Sequence, residues 1–524
     1  MNRKVISLLI MGALLITVGA VVPATASENS NTLVVAHSEY AFNFDTLYTT
    51  WGDIGRLAMV AYDSLVKYDP SSKEVVPWVA KGWDISQDGL TYTFYLNKGI
   101  KFHDGTELTV TDVEFTAERD RELYGDTAMF FSGVTSIEEV DDYTIKLTLE
   151  KPNSEFLLGL CGFYIISKDG VKAQEQEGDS ATKYLQNYDL GSGPYRVVLN
   201  VPEQRTICEK FPDYWKGWEG NHIDKILWLW IKESATQRMM LESGQLDIAM
   251  NPSVADLPSF ERNPELSVHN DTSHIVMQLD FRTIHKPLDD VRVRKALAMT
   301  IDYDYLLEVT TGGYGIRANS PIASVLPYHN SETPLVPYDM DAAKKLLAEA
   351  GYPNGGFKLI VGYQSEHSEY RRLLEVLEQN WGELGITVQP MSMDYNAQYE
   401  MQKDKNSKPD IWMTNIWPFF AAPYEILKEF YWGPLKGVLG QNASYWSDPK
   451  VDKLIEDGIA ALDPSKAEAN AEEAQQLIAE ACPTAWICEQ PYIIVTHDYV
   501  KGYVYNPMYH QAVDAYHMVL EGKP

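Results

Sequence analysis

Two hydrophobic periods alternate along the chain. Leu90, Tyr92, Phe94 and Leu96 sit between Thr91, Thr93 and Tyr95, the two-residue period of a half-buried strand. Asn97-Lys98-Gly99 offers a turn, since glycine takes positive φ at no steric cost. Ile100-Lys101-Phe102 then reads as the returning strand of a hairpin closed by His103-Asp104-Gly105. A second hairpin turns at Asp141-Asp142 and alternates from Thr144 to Leu149. Helical spacing starts at Thr111, where Thr111 and Glu114 form a capping box, and recurs from Ala235 to Ser243, from Asp289 to Leu297, and from Asp341 to Ala350. It is clearest from Glu369 to Leu384, where Leu373, Leu374, Leu377, Trp381 and Leu384 share a face. Strand, helix and strand follow closely between Ile223 and Ala249, which implies parallel pairing and an α/β layer. Gly191-Ser192-Gly193-Pro194-Tyr195 breaks the pattern and marks a domain re-entry. The second half repeats the strand–helix grammar, so the pattern predicts two α/β lobes.

The 524 residues suffice for two or three domains with real cores. Asn2-Arg3-Lys4, the apolar run Val5 to Val22, and Ala24-Thr25-Ala26 read as an export signal over residues 1–26; an uncleaved anchor is the alternative. The first cysteine is Cys161, so no lipid-bearing cysteine follows the signal, and a free periplasmic protein is expected. Cys161, Cys208, Cys482 and Cys488 could form two bridges, with Cys482–Cys488 as one candidate pair, or four buried thiols. A net charge of −30 excludes a phosphate-neutralising surface and hence nucleic acid.

Six stretches recur in a fixed order: AKGWDISQDGLTYTFYLNKGIKFHDGTELTVTDVEFT, GSGPYRVV with EKFPDYWKG, IDKILWLWIKESATQRMMLESGQLDIA, KPLDDVRVRKALAMTIDYDYLL, YDMDAAKKLLAEAGYPNGG and WSDPKVDKLIEDG. In this set and order the chain resembles the bacterial extracellular solute-binding proteins of family 5, the peptide- and nickel-binding receptors of ATP-driven importers. The resemblance implies an α/β, two-lobed periplasmic-binding-protein-like fold (type II, cluster C-like) with an extra subdomain in the first lobe. It divides the mature chain into residues 27–70, 190–283 and 496–524 for lobe I, 71–189 for the extra subdomain, and 284–495 for lobe II. It also places His103-Asp104-Gly105 in an architectural hairpin.

The resemblance further implies a small-molecule or peptide ligand held in an interlobe cleft, permease subunits as the membrane partner, hinge closure, and a monomer without cofactor or catalytic residue. Peptide-binding members carry a tryptophan followed three residues later by an aspartate that meets the peptide's amino group. Trp417 matches the tryptophan; Phe420 stands at the aspartate position. A buried ammonium needs a charged partner, and losing one costs about 3–5 kcal/mol. A ligand with an aromatic, apolar or blocked end therefore fits Trp417, Phe419 and Phe420 better than a free amine, with core packing as the alternative role of this cluster. Tyr40, Phe42, Tyr363, Gln364, Glu366, His367, Asn442 and Tyr445 are further candidate contacts.

Other functions find less support. There is no G-x-S-x-G elbow, no H-E-x-x-H helix and no P-loop, and no carboxylate pair can be placed for a secreted glycosidase. A receptor for an oligosaccharide, an aromatic compound or a nickel chelate, or one serving a chemosensor, would share the same fold.

Overall fold

A computed structural model describes residues 31–38, 40, 43–48, 52–131, 133–365, 367–417, 420, 422–438, 441–509 and 512–524. The leader at 1–26 and the candidates Phe42, Glu366 and Phe419 lie outside the described residues.

One long sheet organises the molecule. Its strands are β1 (Thr32–His37), β2 (Tyr195–Val201), β3 (Arg205–Lys210), β4 (Lys225–Trp230), β5 (Ile248–Met250), β6 (Leu266–Phe281), β7 (Lys358–Gln364), β8 (Thr387–Met393), β9 (Ile411–Ile416) and β10 (Thr484–His497). Their spatial order is β8-β7-β9-β6-β10-β5-β1-β4-β3-β2, with the short strand Ile316–Arg317 beside β10. The parallel pairs β1–β4, β1–β5, β7–β8 and β7–β9 mark the α/β layers expected from strand–helix–strand spacing.

The antiparallel strands β6 and β10 run through both lobes. Leu266 to Thr272 pair with His497 to Pro491; the register then shifts, and pairing resumes at Val276 with Glu489. Alternation places different cores on the two faces of each half, since neighbouring side chains point to opposite sides. In lobe II, Met277, Leu279 and Ile487 enter one core with Leu373, Leu377 and Trp381, whereas Val276 and Trp486 enter another with Tyr424 and Ile455. In lobe I, Tyr492 and Ile494 join Val35 and Trp228, while Ile493 and Val495 join Ala36 and Phe260. The chain passes from lobe I to lobe II along β6 and returns along β10.

The extra subdomain is a four-stranded antiparallel sheet in the order 80–85, 91–96, 144–149, 134–141, with its own core around Phe94, Leu96, Ile145 and Leu147. Ile100 and Phe102 are buried, but the expected return strand reduces to one bridge between Lys101 and Glu107. The amide of Phe102 donates to the carbonyl of Thr106 at 2.9 Å, and this tight turn removes the chain from the ladder. Its helix begins at Val110, because the Asp112 carboxylate accepts from the Thr109 amide at 2.9 Å. The capping pair is thus Thr109 and Asp112, two residues upstream of the expected one. Gly193 is required by a close approach: a Cβ there would stand 2.5 Å from the carbonyl carbon of Ala61, whose oxygen accepts from the Gly193 amide at 2.9 Å.

All four cysteines are free and buried. Burial pushes the Cys482 thiol up to about 11 and the Cys488 thiol up to about 12, so both stay protonated at neutral pH. Among the described residues, no helix is long and apolar enough to cross a membrane.

Candidate functional site

The parallel strands of both lobes end toward the same place. In lobe II, β9 runs from Ile411, opposite Phe281, to Ile416, opposite Val276, and β7 runs beside it in the same direction. In lobe I, β5 runs from Ile248, opposite Thr496, to Met250, opposite Ile494, with β1 and β4 parallel to it. Both sets of carboxyl ends therefore face the register break between Thr272 and Val276 from opposite sides. Ligands of open α/β sheets bind in the crevice outside the carboxyl ends of the strands, and here two such crevices face each other.

The sheet brings several sequence candidates to these ends. Trp417 follows β9 directly and keeps 38% of its surface exposed. The strand beneath it is fixed by Gln490, whose side-chain amide donates to Asn415 Oδ1 at 3.0 Å while its backbone carbonyl accepts from Ser273 Oγ at 2.7 Å. Tyr363 and Gln364 close β7, with Tyr363 half-buried against the lobe II core. His367 stands at the N-cap position of the next helix, and its Nδ1 bonds the Glu369 carboxylate at 2.8 Å. Burial alone would raise the Glu369 carboxyl, yet the His367 contact holds it below the usual range. Tyr40 follows β1; its ring meets Trp230 edge-on at 5.7 Å, and its hydroxyl accepts from Asn200 Nδ2 at 3.0 Å.

Asn442 and Tyr445 are used differently. Asn442 is buried, and its amide donates to the carbonyls of Trp432 and Trp446 at 3.2 and 2.9 Å, while Oδ1 accepts from Ser444 at 3.0 Å. The Tyr445 hydroxyl donates to the carbonyl of Lys403 at 2.8 Å, and the Arg282 guanidinium lies 4.6 Å from its ring centre. Both side chains help to hold their own turn.

Phe420 reaches across to the extra subdomain. Its ring meets Phe130 edge-on at 5.6 Å and lies near Gly159. This seam holds residues that sequence reasoning missed. Glu155 accepts from the amides of Tyr424 at 2.7 Å and Glu425 at 3.1 Å, the first turn of the helix Pro423–Tyr431. Ser154 bonds the Ile459 carbonyl through its amide at 2.8 Å and the Gly458 carbonyl through its hydroxyl at 3.1 Å. Burial pushes the Glu155 carboxyl up to about 8, the Glu425 charge adding to the rise and the two backbone amides opposing it. In the sequence, Asn153-Ser154-Glu155 looks like the start of the helix Phe156–Gly159, and no local signal shows that Glu155 serves a helix 269 residues further on.

A cavity of about 40 Å³ lies inside lobe II among Tyr303, Arg317, Asn319 and Trp486, with room for a few waters but no organic solute. Among the described residues, no three His, Cys, Asp or Glu side chains are grouped to hold a metal ion.

Known proteins share this architecture. The profile described as bacterial extracellular solute-binding proteins, family 5 Middle, matches residues 74–438. The heme-binding protein A of Haemophilus influenzae is 26% identical over 95% of this chain and 94% of its own. The dipeptide-binding protein of Escherichia coli is 24% identical over 92% of this chain and 94% of its own. The periplasmic binding protein DppA of Helicobacter pylori, solved with the peptide STSA, superposes with a TM-score of 0.79 at 24% identity, covering 94% of this chain and 98% of that one. With a family match across most of its length and that fold, the chain belongs to the bacterial extracellular solute-binding proteins of family 5.

Proposed function

We propose that this protein is the extracytoplasmic receptor of an ATP-driven importer, which captures a peptide or peptide-like solute between its lobes and delivers it unchanged to the permease. The observation that carries this reading is the convergence of two sets of strand ends on a two-strand crossing. Such a crossing lets the lobes swing as rigid bodies about a few backbone positions. The relatives named for dipeptides and for heme, and the structure holding STSA, favour peptides while keeping a flat aromatic ligand within the class. Trp417, Phe420, Tyr363 and Gln364 form the lobe II wall in this reading, and the segment after β1 forms the opposite one. The protein acts as a monomer in the periplasm, exported by its leader, and converts nothing.

Phe420 sets the expected preference. An aromatic ring against Phe130 offers no counter-charge to an ammonium, whereas a cation–π contact is worth about 2 kcal/mol at best when desolvated. Thermal-shift screening against free dipeptides, N-acetylated peptides, hemin, oligosaccharides and nickel chelates tests the proposal. Blocked or aromatic-ended peptides are expected to give the largest shift. A larger shift from free dipeptides would refute the role given to Phe420, and turnover of any solute would refute the receptor.

A further inference from the structure

We infer that Glu155 is the clasp of the closed cleft: its buried carboxyl group joins the extra subdomain to the helix Pro423–Tyr431 and so positions Phe420 toward the ligand. The inference rests on the reading of the molecule as a receptor that closes on its ligand.

Among the described residues, β6 and β10 carry the chain between the lobes, and their ladder is broken at the crossing. Contacts away from that axis must therefore help to hold the lobes together. One group lies where Tyr314 bonds Glu261 at 2.7 Å, and another lies on the seam between the extra subdomain and lobe II. Glu155 and Ser154 meet the 423–431 helix and the Gly458–Ile459 carbonyls, Phe130 meets Phe420, and the Leu462 side chain fills the space beside Gly89 that any Cβ would need. Of these, Glu155 satisfies two groups at once, the first amides of a lobe II helix.

The first amides of a helix have no intrahelical acceptor and need a cap. Pro423 has no amide hydrogen, so Tyr424 and Glu425 carry the first free ones. The N-cap residue is Ala422, which has no side-chain acceptor, and no residue of this helix caps the pair. Glu155 supplies both acceptors from the opposite body. When the lobes part, water replaces that partner on both sides, so the contact belongs to the closed form. The amide of the N-cap residue Ala422 donates to the carbonyl of Phe420 at 2.7 Å, so fixing the first turn of the helix fixes Phe420. Glu155 thus acts through the loop and not by touching the ligand, which makes it a positioning residue.

Disulfide trapping tests this without any ligand. A Ser154→Cys/Ile459→Cys pair, whose backbones are already hydrogen-bonded across the seam, should cross-link within the chain under mild oxidant. Adding Glu155→Ala should slow trapping about tenfold, and Glu155→Gln, which keeps the shape and one acceptor, should slow it less. Hydrogen exchange over residues 422–431 should lose protection in the same order, a change that weakened packing elsewhere would not confine to that turn. Equal trapping rates in all three backgrounds, or no cross-link in any, would overturn the inference. A protein that traps as expected yet binds none of the screened solutes would keep the clasp and lose the peptide reading.

Discussion

The imidazole of His103 bridges two distant points of the chain: Nδ1 bonds the Asp189 carboxylate, and Nε2 bonds the carbonyl of Gly193 at 2.9 Å. The same carboxylate accepts from the Val197 amide at 2.6 Å. His103 therefore pins the hairpin end of the subdomain to the strand where the chain re-enters lobe I. This geometry gives His-Asp-Gly a structural role.

Burial opposes charge on His103, but the Asp189 charge and hydrogen bond outweigh it and raise the imidazole above its ordinary value. A raised folded pKa means that the stabilisation is full below the unfolded value, about 6.5. It is lost as pH rises through the higher folded value. Melting temperature should therefore fall with rising pH above about 6.5. His103→Gln should flatten that slope, and His103→Ala should cost about 3 kcal/mol by leaving a buried carboxylate without its cation. Denaturation at pH 6 and pH 9 measures both effects; identical slopes in wild type and variant would remove His103 from the account.

The clasp makes its own pH signature. Glu155 titrates at about 8 in the closed form through burial, with Glu425 adding to the rise and Lys428 opposing it; Tyr328 and Tyr424 are the other titratable groups that feel its charge. In an open cleft the carboxyl returns toward about 4.3. Closure then takes up a proton between those values, and affinity is highest on the acid side and falls as pH rises toward 8. Calorimetry of the best solute from the screen, in buffers of different ionisation enthalpy at pH 7, should show net proton uptake. Glu155→Gln should abolish most of it, whereas uptake unchanged in that variant would place the proton elsewhere.

Trp417 stands at a strand end with over a third of its surface open, which suits a ring that waits for a ligand. Trp417→Ala is expected to weaken binding of the best solute by at least ~2 kcal/mol, the scale of a buried aromatic anchor. The melting temperature of the unliganded protein should move little. The opposite pattern, lost stability with intact affinity by titration calorimetry, would assign the ring to packing.

The periodic elements were legible in the sequence because their signal is local. The 369–384 stripe and the 235–243 spacing correspond to helices at Ser368–Gly382 and Ser234–Glu242. Local readings failed where a neighbour decided the outcome. Thr111 and Glu114 carry a valid capping pattern, but Asp112 reaches Thr109 first, and Glu114 lies beside Glu139. The site was legible in part. Trp417 was singled out by the family resemblance, as the match to its tryptophan, and Tyr363 and Gln364 by where that resemblance places the cleft; the structure sets all three at strand ends. Nothing local in the sequence shows that Asn442 and Tyr445 bond the carbonyls of Trp432, Trp446 and Lys403. Glu155 was invisible because its value lies in a helix that arrives from the other lobe.

Phe420→Asp joins these arguments. The substitution installs the acid that the family resemblance implies three residues after the tryptophan, but sets it against Phe130 and Gly159, an apolar wall. An unpaired carboxylate there is costly unless a ligand ammonium neutralises it. The variant should melt lower than wild type without ligand and recover part of that loss with free-amine dipeptides, not with their N-acetylated forms. The ratio of affinities for free and blocked peptides, from competition titrations, should shift at least tenfold toward the free amine. An unshifted ratio would mean that the ligand's amino end lies away from Phe420, and that the cleft selects its guest through the Trp417 side alone.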